Sequence, residues 1–373
     1  MEEFLATMSK EDSLNYELSM LYKQWGYKEY RMAKFEEYSF YSDNRDFLSG
    51  KGILAFNNSD GRLMALKPDI TLSIVKNAKL TCALTKLYYN ESVFRMSDST
   101  MDYKEIKQTG VEVLGKVDDY LVAEVLSLAA KSLKTIDKDF VLSVSHMSFI
   151  PSLLSELGIG ENARKEIIRC VNGKNTHDLR SICEKNGVSA DKTELLAKLA
   201  GINGRFDDVI PVLADLACNE EMKKACDELS FIAASMRKSP LADRLRIDLS
   251  VLNNTEYYNG IIFQGYVEKT PSAVLSGGQY GKLMKKMGRS GGAVGFAVYP
   301  DLLERLQEAE SDSADTILLY DDTSEISDVA AAAEYLRGLG MSVITARQMP
   351  QKASYKSVYK ISNAEVRKIE DNA

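Results

Sequence analysis

The sequence predicts an α+β fold built in three parts. Helix-like and strand-like patterns alternate up to about residue 150, only helical patterns follow up to residue 238, and strand patterns then return. The chain ends in one strand-helix-strand pattern, which is typical of a small α/β domain. We therefore predict a core made of residues 1–150 and 239–308, a helical insertion at residues 151–238, and a small α/β domain at residues 313–373.

The first part of the core contains two helical and two strand patterns. Tyr16–Trp25 has helical spacing, and Gly26 is expected to end that helix, as glycine commonly does. Lys86–Met96 and Lys104–Gly115 are rich in aromatic and β-branched residues, which favour strands. Leu121–Ile136 has apolar residues at helical spacing and lacks glycine and proline, so it predicts an amphipathic helix.

The insertion and the second part of the core differ in pattern. Several segments of the insertion begin with Asp, Asn or Thr and continue as helices, so we expect helices throughout it. Arg246–Leu252 and Gly260–Val267 have strand patterns. Two glycine pairs follow, Gly277–Gly278 and Gly291–Gly292, and we expect turns there that let two backbones approach.

The end of the chain begins with a β-α-β unit. Residues 315–321 and 341–346 have strand patterns, and the alanine-rich segment 328–340 between them has a helical one. The residues after 346 contain lysines but no clear helical pattern.

The composition excludes several classes of protein. Hydrophobic residues make up 45% and charged residues 27% of the chain, which is typical of globular proteins. No apolar run approaches the roughly 20 residues that a membrane helix needs. The N-terminal residues are acidic and lack the basic-then-apolar order of a signal peptide. We expect a cytoplasmic protein with no contact with a membrane.

Cysteines, histidines and net charge also argue against several functions. The five cysteines, Cys82, Cys170, Cys183, Cys218 and Cys226, form no Cys-x-x-Cys pair, so neither disulfides nor a zinc site is expected. His146 lies in a strand-like run and His177 at a probable helix start, and no metal site or catalytic triad can be built from them. A net charge of −7 disfavours binding to nucleic acid.

Four separated segments resemble the catalytic domain of class II histidyl-tRNA synthetases. Trp25–Glu36 is similar to the first motif, although Ala33 replaces its proline. Gly61–Thr71 resembles the histidine-binding segment L-R-P-E/D-x-T, and Val93–Glu112 resembles motif two. Glu256–Ala297 resembles the histidine-specific signature and the start of motif three. The resemblance covers about residues 10–305 and implies a class II synthetase-like antiparallel sheet flanked by helices. It also implies that the last domain is a truncated anticodon-binding domain.

The resemblance also implies a pocket for histidine. Such a pocket needs carboxylates for the ammonium group, and acceptors and aromatic side chains for the imidazole. The positions that match are Asp69, Thr71, Arg95, Gln108, Glu112, Tyr257, Tyr258 and Tyr280. Each has a simpler alternative: Thr71 as a helix cap, Gln108 and Glu112 as solvated strand residues, and the tyrosines as core aromatics.

The groups that would activate ATP are missing by the same comparison. Adenylation builds negative charge on phosphoryl oxygens, which fixed arginines normally stabilise. Asn253 and Leu302 stand where the family has arginines, because N-N-T-E-Y-Y replaces R-G-L-D-Y-Y and Y-P-D-L replaces G-L-E-R. Ser97 replaces an acidic residue after the arginine of motif two, Arg95, which is retained. Arg305 could substitute only if a bulge shifted the register.

This combination is similar to the regulatory subunits of ATP phosphoribosyltransferase. The resemblance implies a non-catalytic subunit in the first step of histidine biosynthesis, with histidine as effector and without metal, cofactor or tRNA. It implies a homodimer within a larger hetero-oligomer that contains short-form catalytic subunits. Two alternatives stay open: an active histidyl-tRNA synthetase, and a stand-alone histidine sensor or scaffold with another partner.

Overall fold

The chain divides into two units in the computed structural model. The structure describes residues 8–48, 52–78, 84–96, 102–252, 257–268, 270–304, 313–350, 354–362 and 365–371. The first unit is Met1–Leu306 and the second is Gln307–Ala373. In the described part of the chain, no helix is both long and apolar enough to cross a membrane.

The first unit combines helices with three groups of strands. Its helices are α1 (Lys10–Gln24), α2 (Tyr38–Ser42), α3 (Ile70–Asn77), α4 (Asp119–Ile136), α5 (Ile150–Glu156), α6 (Glu161–Asn172), α7 (Thr176–Lys185), α8 (Ala190–Ala200), α9 (Phe206–Leu216), α10 (Glu220–Met236), α11 (Gly281–Lys286) and α12 (Asp301–Glu304). Its strands are β1 (Lys28–Glu29), β2 (Phe35–Glu37), β3 (Ala55–Asn57), β4 (Leu63–Leu66), β5 (Leu84–Met96), β6 (Tyr103–Gly115), β7 (Phe140–His146), β8 (Asn203–Gly204), β9 (Leu245–Asp248), β10 (Ile261–Val267), β11 (Leu275–Gln279) and β12 (Gly292–Val298).

A largely antiparallel sheet organises this unit. Within the described residues it has nine strands in the order β1-β5-β6-β12-β11-β10-β7-β9-β8, and β2, β4 and β3 form a separate small sheet. The outer pairs β1–β5 and β7–β9 are parallel, whereas β5–β6, β6–β12 and β11–β12 are antiparallel. The predicted α+β class and the class II synthetase-like sheet are confirmed.

Alternation along the strands gives the sheet two different faces. Phe296 of β12 contacts the ring of Tyr22 from α1 edge-on at 6.0 Å, and Val111 of β6 belongs to the same hydrophobic core as α4. Successive side chains of a strand point to opposite faces. Gly295, Ala297 and Glu112 therefore lie on the other face, away from α1 and α4.

The expectation of turns at the two glycine pairs is wrong for Gly277–Gly278, whereas Gly291 has a positive φ of 93° and lies just before β12, as a turn glycine would. Gly277 and Gly278 belong to β11, and Gly292 begins β12. The expectation of close backbone approach is right for Gly277, because a Cβ there would lie 2.3 Å from the carbonyl oxygen of Gly295. Glycines are unfavourable in strands and typical of turns, which explains the error.

The insertion is mostly helical, as α5 to α10 show. Asn175 caps α7 and Asn219 caps α10, as the polar residues at the segment starts predicted. The expectation of helices throughout is wrong at Asn203–Gly204, the short strand β8, which pairs antiparallel with β9 at the edge of the large sheet. The remaining domain boundaries stay predictions.

The second unit has a small sheet of its own. Its elements are β13 (Ser313–Tyr320), α13 (Ile326–Gly338), β14 (Val343–Ala346), β15 (Ser354–Ser362) and β16 (Glu365–Asp371). The strand order is β14-β13-β15-β16, and the parallel pairing of β13 with β14 through α13 is the predicted β-α-β unit. The final residues, which have no helical pattern, supply β15 and β16.

Candidate functional site

A cavity of about 290 Å³ lies on the face of the large sheet opposite α1 and α4. All eight residues that the sequence predicted for a histidine pocket line it: Asp69, Thr71, Arg95, Gln108, Glu112, Tyr257, Tyr258 and Tyr280. They come from the start of α3, from β5 and β6, and from the segments before β10 and α11. The fold thus brings together residues up to 211 positions apart in the chain, from Asp69 to Tyr280. Their role as ligands of histidine stays a prediction.

Glu112 forms the inner end of the cavity together with its two hydrogen-bond donors. The hydroxyl of Thr71 donates to Oε1 of Glu112 at 2.7 Å, and the hydroxyl of Tyr280 donates to Oε2. Only 2% of Glu112 is exposed. Burial raises the pKa of Glu112 to about 8, while the hydrogen bonds from Tyr280 and Thr71 oppose the shift. This carboxyl group is therefore harder to ionise than a solvated glutamate.

Gly295 makes room for that carboxyl group. It pairs with Glu112 across β12 and β6. A Cβ at position 295 would lie 1.9 Å from Oε2 of Glu112 and 2.4 Å from the carbonyl oxygen of Val111. Any side chain there would therefore displace Glu112 or separate the two strands.

Aromatic rings cover one side of the cavity. The ring of Tyr257 lies 4.7 Å from that of Tyr258 and 5.6 Å from that of Tyr280, measured between centroids. Phe47 contacts Tyr257 from the opposite side at 6.2 Å. The predicted tyrosines are therefore cavity residues and packing residues at once. Phe47 was not predicted as a site residue, because it lies in a short 3-10 helix outside the matching motifs.

Asp69 and Arg95 form an ion pair at the border of the cavity. Nη2 of Arg95 lies 3.3 Å from Oδ2 of Asp69, and Nε of Arg95 donates to the carbonyl oxygen of Pro68 at 2.6 Å. Asp69 also caps α3 by accepting from the backbone N–H of Leu72. Burial raises the pKa of Asp69, and the charge of Arg95 opposes this. The helix cap is thus Asp69, and the hydroxyl of Thr71 is directed at Glu112 instead.

Gln108, Ser276 and Tyr299 form the outer end of the cavity. The hydroxyl groups of Tyr299 and Ser276 are hydrogen-bonded at 2.6 Å. Ala297, half-buried, lies between the two ends on β12. Ser276 and Tyr299 were not predicted as site residues. Tyr299 appeared in the sequence only as the first residue of Y-P-D-L, where the family has glycine.

Leu302 occupies an apolar position. It lies in α12, its side chain packs against the main hydrophobic core, and its N–H donates to the carbonyl oxygen of Tyr299 at 3.2 Å. Ser97, Asn253 and Arg305 lie outside the described residues. Among the described residues that line the cavity, Arg95 is the single cation.

The other polar groups considered in the sequence have structural partners. His146 is buried, with Nε2 at 3.0 Å from Oε2 of Glu228 and Nδ1 accepting from the N–H of Ser148. His177 lies in the first turn of α7, as expected. No group of three or more metal-binding side chains occurs in the described part of the chain.

The family model described as histidyl-tRNA synthetase matches residues 3–303. An ATP phosphoribosyltransferase regulatory subunit from Alkaliphilus metalliredigens is 26% identical over 337 residues, covering 87% of this chain and 85% of the relative. One from Bacillus cereus is 28% identical over 306 residues, covering 80% of this chain and 73% of the relative. The predicted similarity to these regulatory subunits is confirmed.

Solved structures agree on the fold. An ATP phosphoribosyltransferase regulatory subunit/histidyl-tRNA synthetase from Bacillus halodurans has a TM-score of 0.74 at 21% identity, covering 94% of this chain and 93% of its own. A histidyl-tRNA synthetase from Nostoc gives 0.69 at 18% identity, covering 96% and 93%. The ATP phosphoribosyl transferase (HisG:HisZ) complex from Thermotoga maritima gives 0.61 at 16% identity, covering 79% and 98%.

Proposed function

This chain belongs to the histidyl-tRNA synthetase family, and we propose that it is a non-catalytic regulatory subunit of ATP phosphoribosyltransferase that binds free histidine. One observation carries the proposal: eight side chains suited to histidine surround one cavity that contains a single described cation. The relatives named as regulatory subunits support the same assignment. We propose the cytoplasm as its location, as the N-terminal sequence without a signal-peptide pattern suggested.

The chemistry of the cavity favours one orientation of the amino acid. The imidazole would lie at the inner end, between the rings of Tyr257, Tyr258 and Tyr280, with an N–H donating to Glu112. Such a bond favours the ionised carboxylate and therefore lowers its pKa on binding. The ammonium group would face Asp69 and Gln108, and the carboxylate would face Arg95.

The same cavity is poorly suited to adenylation. An ATP triphosphate and its transferring phosphoryl group need several fixed cations. Arg95 already bonds Asp69 and the carbonyl oxygen of Pro68, so its donors are partly engaged. Leu302, at the family's arginine position, offers no positive charge. The residues thus support binding of an amino acid without its activation.

Regulation would follow from a difference in affinity. Histidine that binds one quaternary state more tightly shifts the equilibrium toward that state, whereas equal affinity for both would transmit nothing. The solved complex from Thermotoga maritima contains an ATP phosphoribosyl transferase with a neighbour of this fold. We propose short-form catalytic subunits as the partner, histidine as the effector, and a homodimer of this chain within the hetero-oligomer.

Calorimetry on carboxylate variants tests the ligand site. Asp69→Asn and Glu112→Gln should each weaken histidine binding about tenfold or more, because each removes the negative charge that strengthens the hydrogen bond from the ligand. Glu228→Gln, which changes a carboxylate beside His146 outside the cavity, should leave the affinity within about twofold. Unchanged affinity in both cavity variants would rule out this pocket as the histidine site.

Two activity measurements separate the alternatives. A titration of histidine against the co-expressed short catalytic subunit should show activation by this chain and inhibition by histidine. Histidine-dependent ATP–pyrophosphate exchange should stay at background, and exchange above background would favour an active synthetase. Histidine binding without any effect on the transferase would favour a stand-alone sensor.

A further inference from the structure

We propose that Tyr299 limits the cavity to a free amino acid and excludes ligands extended at the α-carboxylate, such as a histidyl-nucleotide. The proposal rests on the proposed function for the identity of the amino acid. Tyr299 would determine by its size which ligands fit, independently of the missing arginines.

The side chains of β12 that face the cavity increase in size from the inner to the outer end. Gly295 lies opposite Glu112, and Ala297 lies opposite Gly110. Tyr299 is the next residue on the same face, two positions beyond Ala297, and its N–H still pairs with the carbonyl oxygen of Val274. The cavity is therefore open above Gly295 and Ala297, and the side chain of Tyr299 ends this open space.

That phenol is held in one position. Ser276 pairs with Ala297 across β11 and β12, and its hydroxyl lies 2.6 Å from the hydroxyl of Tyr299. The ring must therefore extend back from position 299 toward the neighbouring strand, beside Ala297. Since Ala297, Ser276 and Tyr299 all line the cavity, the ring bounds the space available to a ligand.

The ligand orientation proposed above directs its carboxylate toward this end. Gln108 and Arg95 lie on the outer side of Glu112 along β6 and β5. Three residues lie between Gly295 and Tyr299, so their Cα atoms are four strand rises apart, which corresponds to about 13 Å. An amino acid fits within that length, whereas a nucleotide joined to its carboxylate would meet the phenol.

The size of the cavity agrees with this limit. Its volume of about 290 Å³ is at the lower end of the roughly 300–1,000 Å³ that is usual for small-molecule sites. The matching position in the synthetase pattern G-L-E-R is glycine, which would leave this space open. The two substitutions thus act differently. Tyr299 reduces the space available to a ligand, and Leu302 lacks the positive charge of an arginine.

Calorimetry with two probes tests the proposal. The probes are L-histidine and the sulfamoyl analogue of histidyl-adenylate, and the readout is the ratio of their affinities. For the wild-type chain we expect the analogue to bind at least about tenfold more weakly than histidine. In Tyr299→Gly, and in Tyr299→Ala as a second variant, the ratio should shift toward the analogue by about tenfold or more.

Controls separate the ring from its hydrogen bond. Tyr299→Phe keeps the ring but, like Ser276→Ala, removes the bond between the two hydroxyl groups, so both variants should shift the ratio only partly and to a similar extent. Wild-type chain that binds the analogue as tightly as histidine would overturn the proposal, and so would folded glycine and alanine variants without any gain for the analogue. Absence of histidine binding in every protein would instead contradict the proposed function. In that case, a gain for the analogue alone would still support the role of Tyr299.

Discussion

The two ends of the cavity differ in how their side chains depend on the rest of the fold. At the inner end, Glu112 accepts from Thr71 and Tyr280 and fits against Gly295, so each group constrains the others. At the outer end, the hydroxyl of Tyr299 bonds only that of Ser276 in the described part of the chain, and Leu302, which does not line the cavity, packs against the hydrophobic core close by in the sequence. The inner end is a buried polar network, whereas Ser276 and Tyr299 at the outer end are half-buried.

Under the proposed function, this difference explains how histidine binding can be kept while catalysis is lost. Removing one member of a buried polar network leaves its partners unsatisfied, which is costly, so such a network changes as a whole or not at all. A cation at the edge of a cavity has fewer buried partners that depend on it for a hydrogen bond. Replacing it with leucine adds apolar contact and removes only the chemistry that depended on its charge.

The largest expected effect concerns the support of the segment that carries Asp69. Lys67 is fully buried, and its Nζ lies 2.9 Å from Oε2 of Glu91. Lys67→Met should destabilise the chain by up to about 3 kcal/mol, because the partly buried Glu91 carboxylate would lose its charge partner and keep only the hydrogen bond from the N–H of Met32. Chemical denaturation measures this loss. Histidine affinity should fall together with the stability, because the inner end of the cavity depends on the rest of the fold.

Two controls make the Lys67 experiment specific. The double variant Lys67→Met with Glu91→Gln should recover most of the lost stability, since the unpaired charge is gone. Lys165→Met, which changes an exposed pair with Glu161, should change the stability very little. A single Lys67 variant as stable as the wild type would contradict the dependence of the inner end on this pair.

The second prediction places a methyl group directly at the inner end. Gly295→Ala should destabilise the chain by about 3 kcal/mol and abolish histidine binding, because its Cβ meets both the Glu112 carboxyl group and backbone. Gly292→Ala in the same strand is the matched control, since its Cβ would be 3.5 Å from Val117. Thermal unfolding and calorimetry should separate the two variants. Equal behaviour would mean that the inner end is looser than its geometry indicates.

The third prediction uses the raised pKa of Glu112. The folded chain keeps a proton on this group between pH 4.5, the ordinary value, and about 8, where the unfolded chain has lost it. This contribution to stability is complete below pH 4.5 and is lost as the pH rises toward 8, by at most about 1.4 kcal/mol per pH unit. Glu112→Gln resembles the protonated acid, so its stability relative to the wild type should increase across this range. A constant difference between the two proteins from pH 4.5 to 8 would contradict the assignment.

The sequence predicted most of the fold through strong periodic patterns. The long strands β5 and β6, helix α4 and the β-α-β unit all had the expected composition, and the four motifs implied the antiparallel sheet. It missed β8, which has only two residues. It also assigned the glycines of β11 to a turn, because these glycines reflect contacts with distant residues, and those contacts are not visible in a local pattern.

The prediction of the site had a similar limit. Motif order brought eight residues together that no local pattern could have joined, and the structure places them around one cavity. Phe47, Ser276 and Tyr299 lie outside the residues that the motifs specify as ligands, so they were not predicted. The substitution of glycine by Tyr299 was visible in Y-P-D-L, but its effect on cavity size required the position of Ser276 across the sheet.

The smallest expected effect tests the outer end by restoring one charge. Leu302→Arg returns the arginine of the family pattern, yet ATP–pyrophosphate exchange with histidine should stay at background, because Tyr299 still limits the space and one cation is insufficient for a triphosphate. The variant should lose only about 1 kcal/mol of stability, since the apolar stem of arginine can retain part of the packing of a half-buried leucine. Leu302→Met is the control for packing without charge. The double variant Leu302→Arg with Tyr299→Gly sharpens the comparison. ATP binding that appears only in the double variant would show that both the space and the positive charge are required for ATP. Exchange restored by Leu302→Arg alone would show that the missing charge was the whole difference.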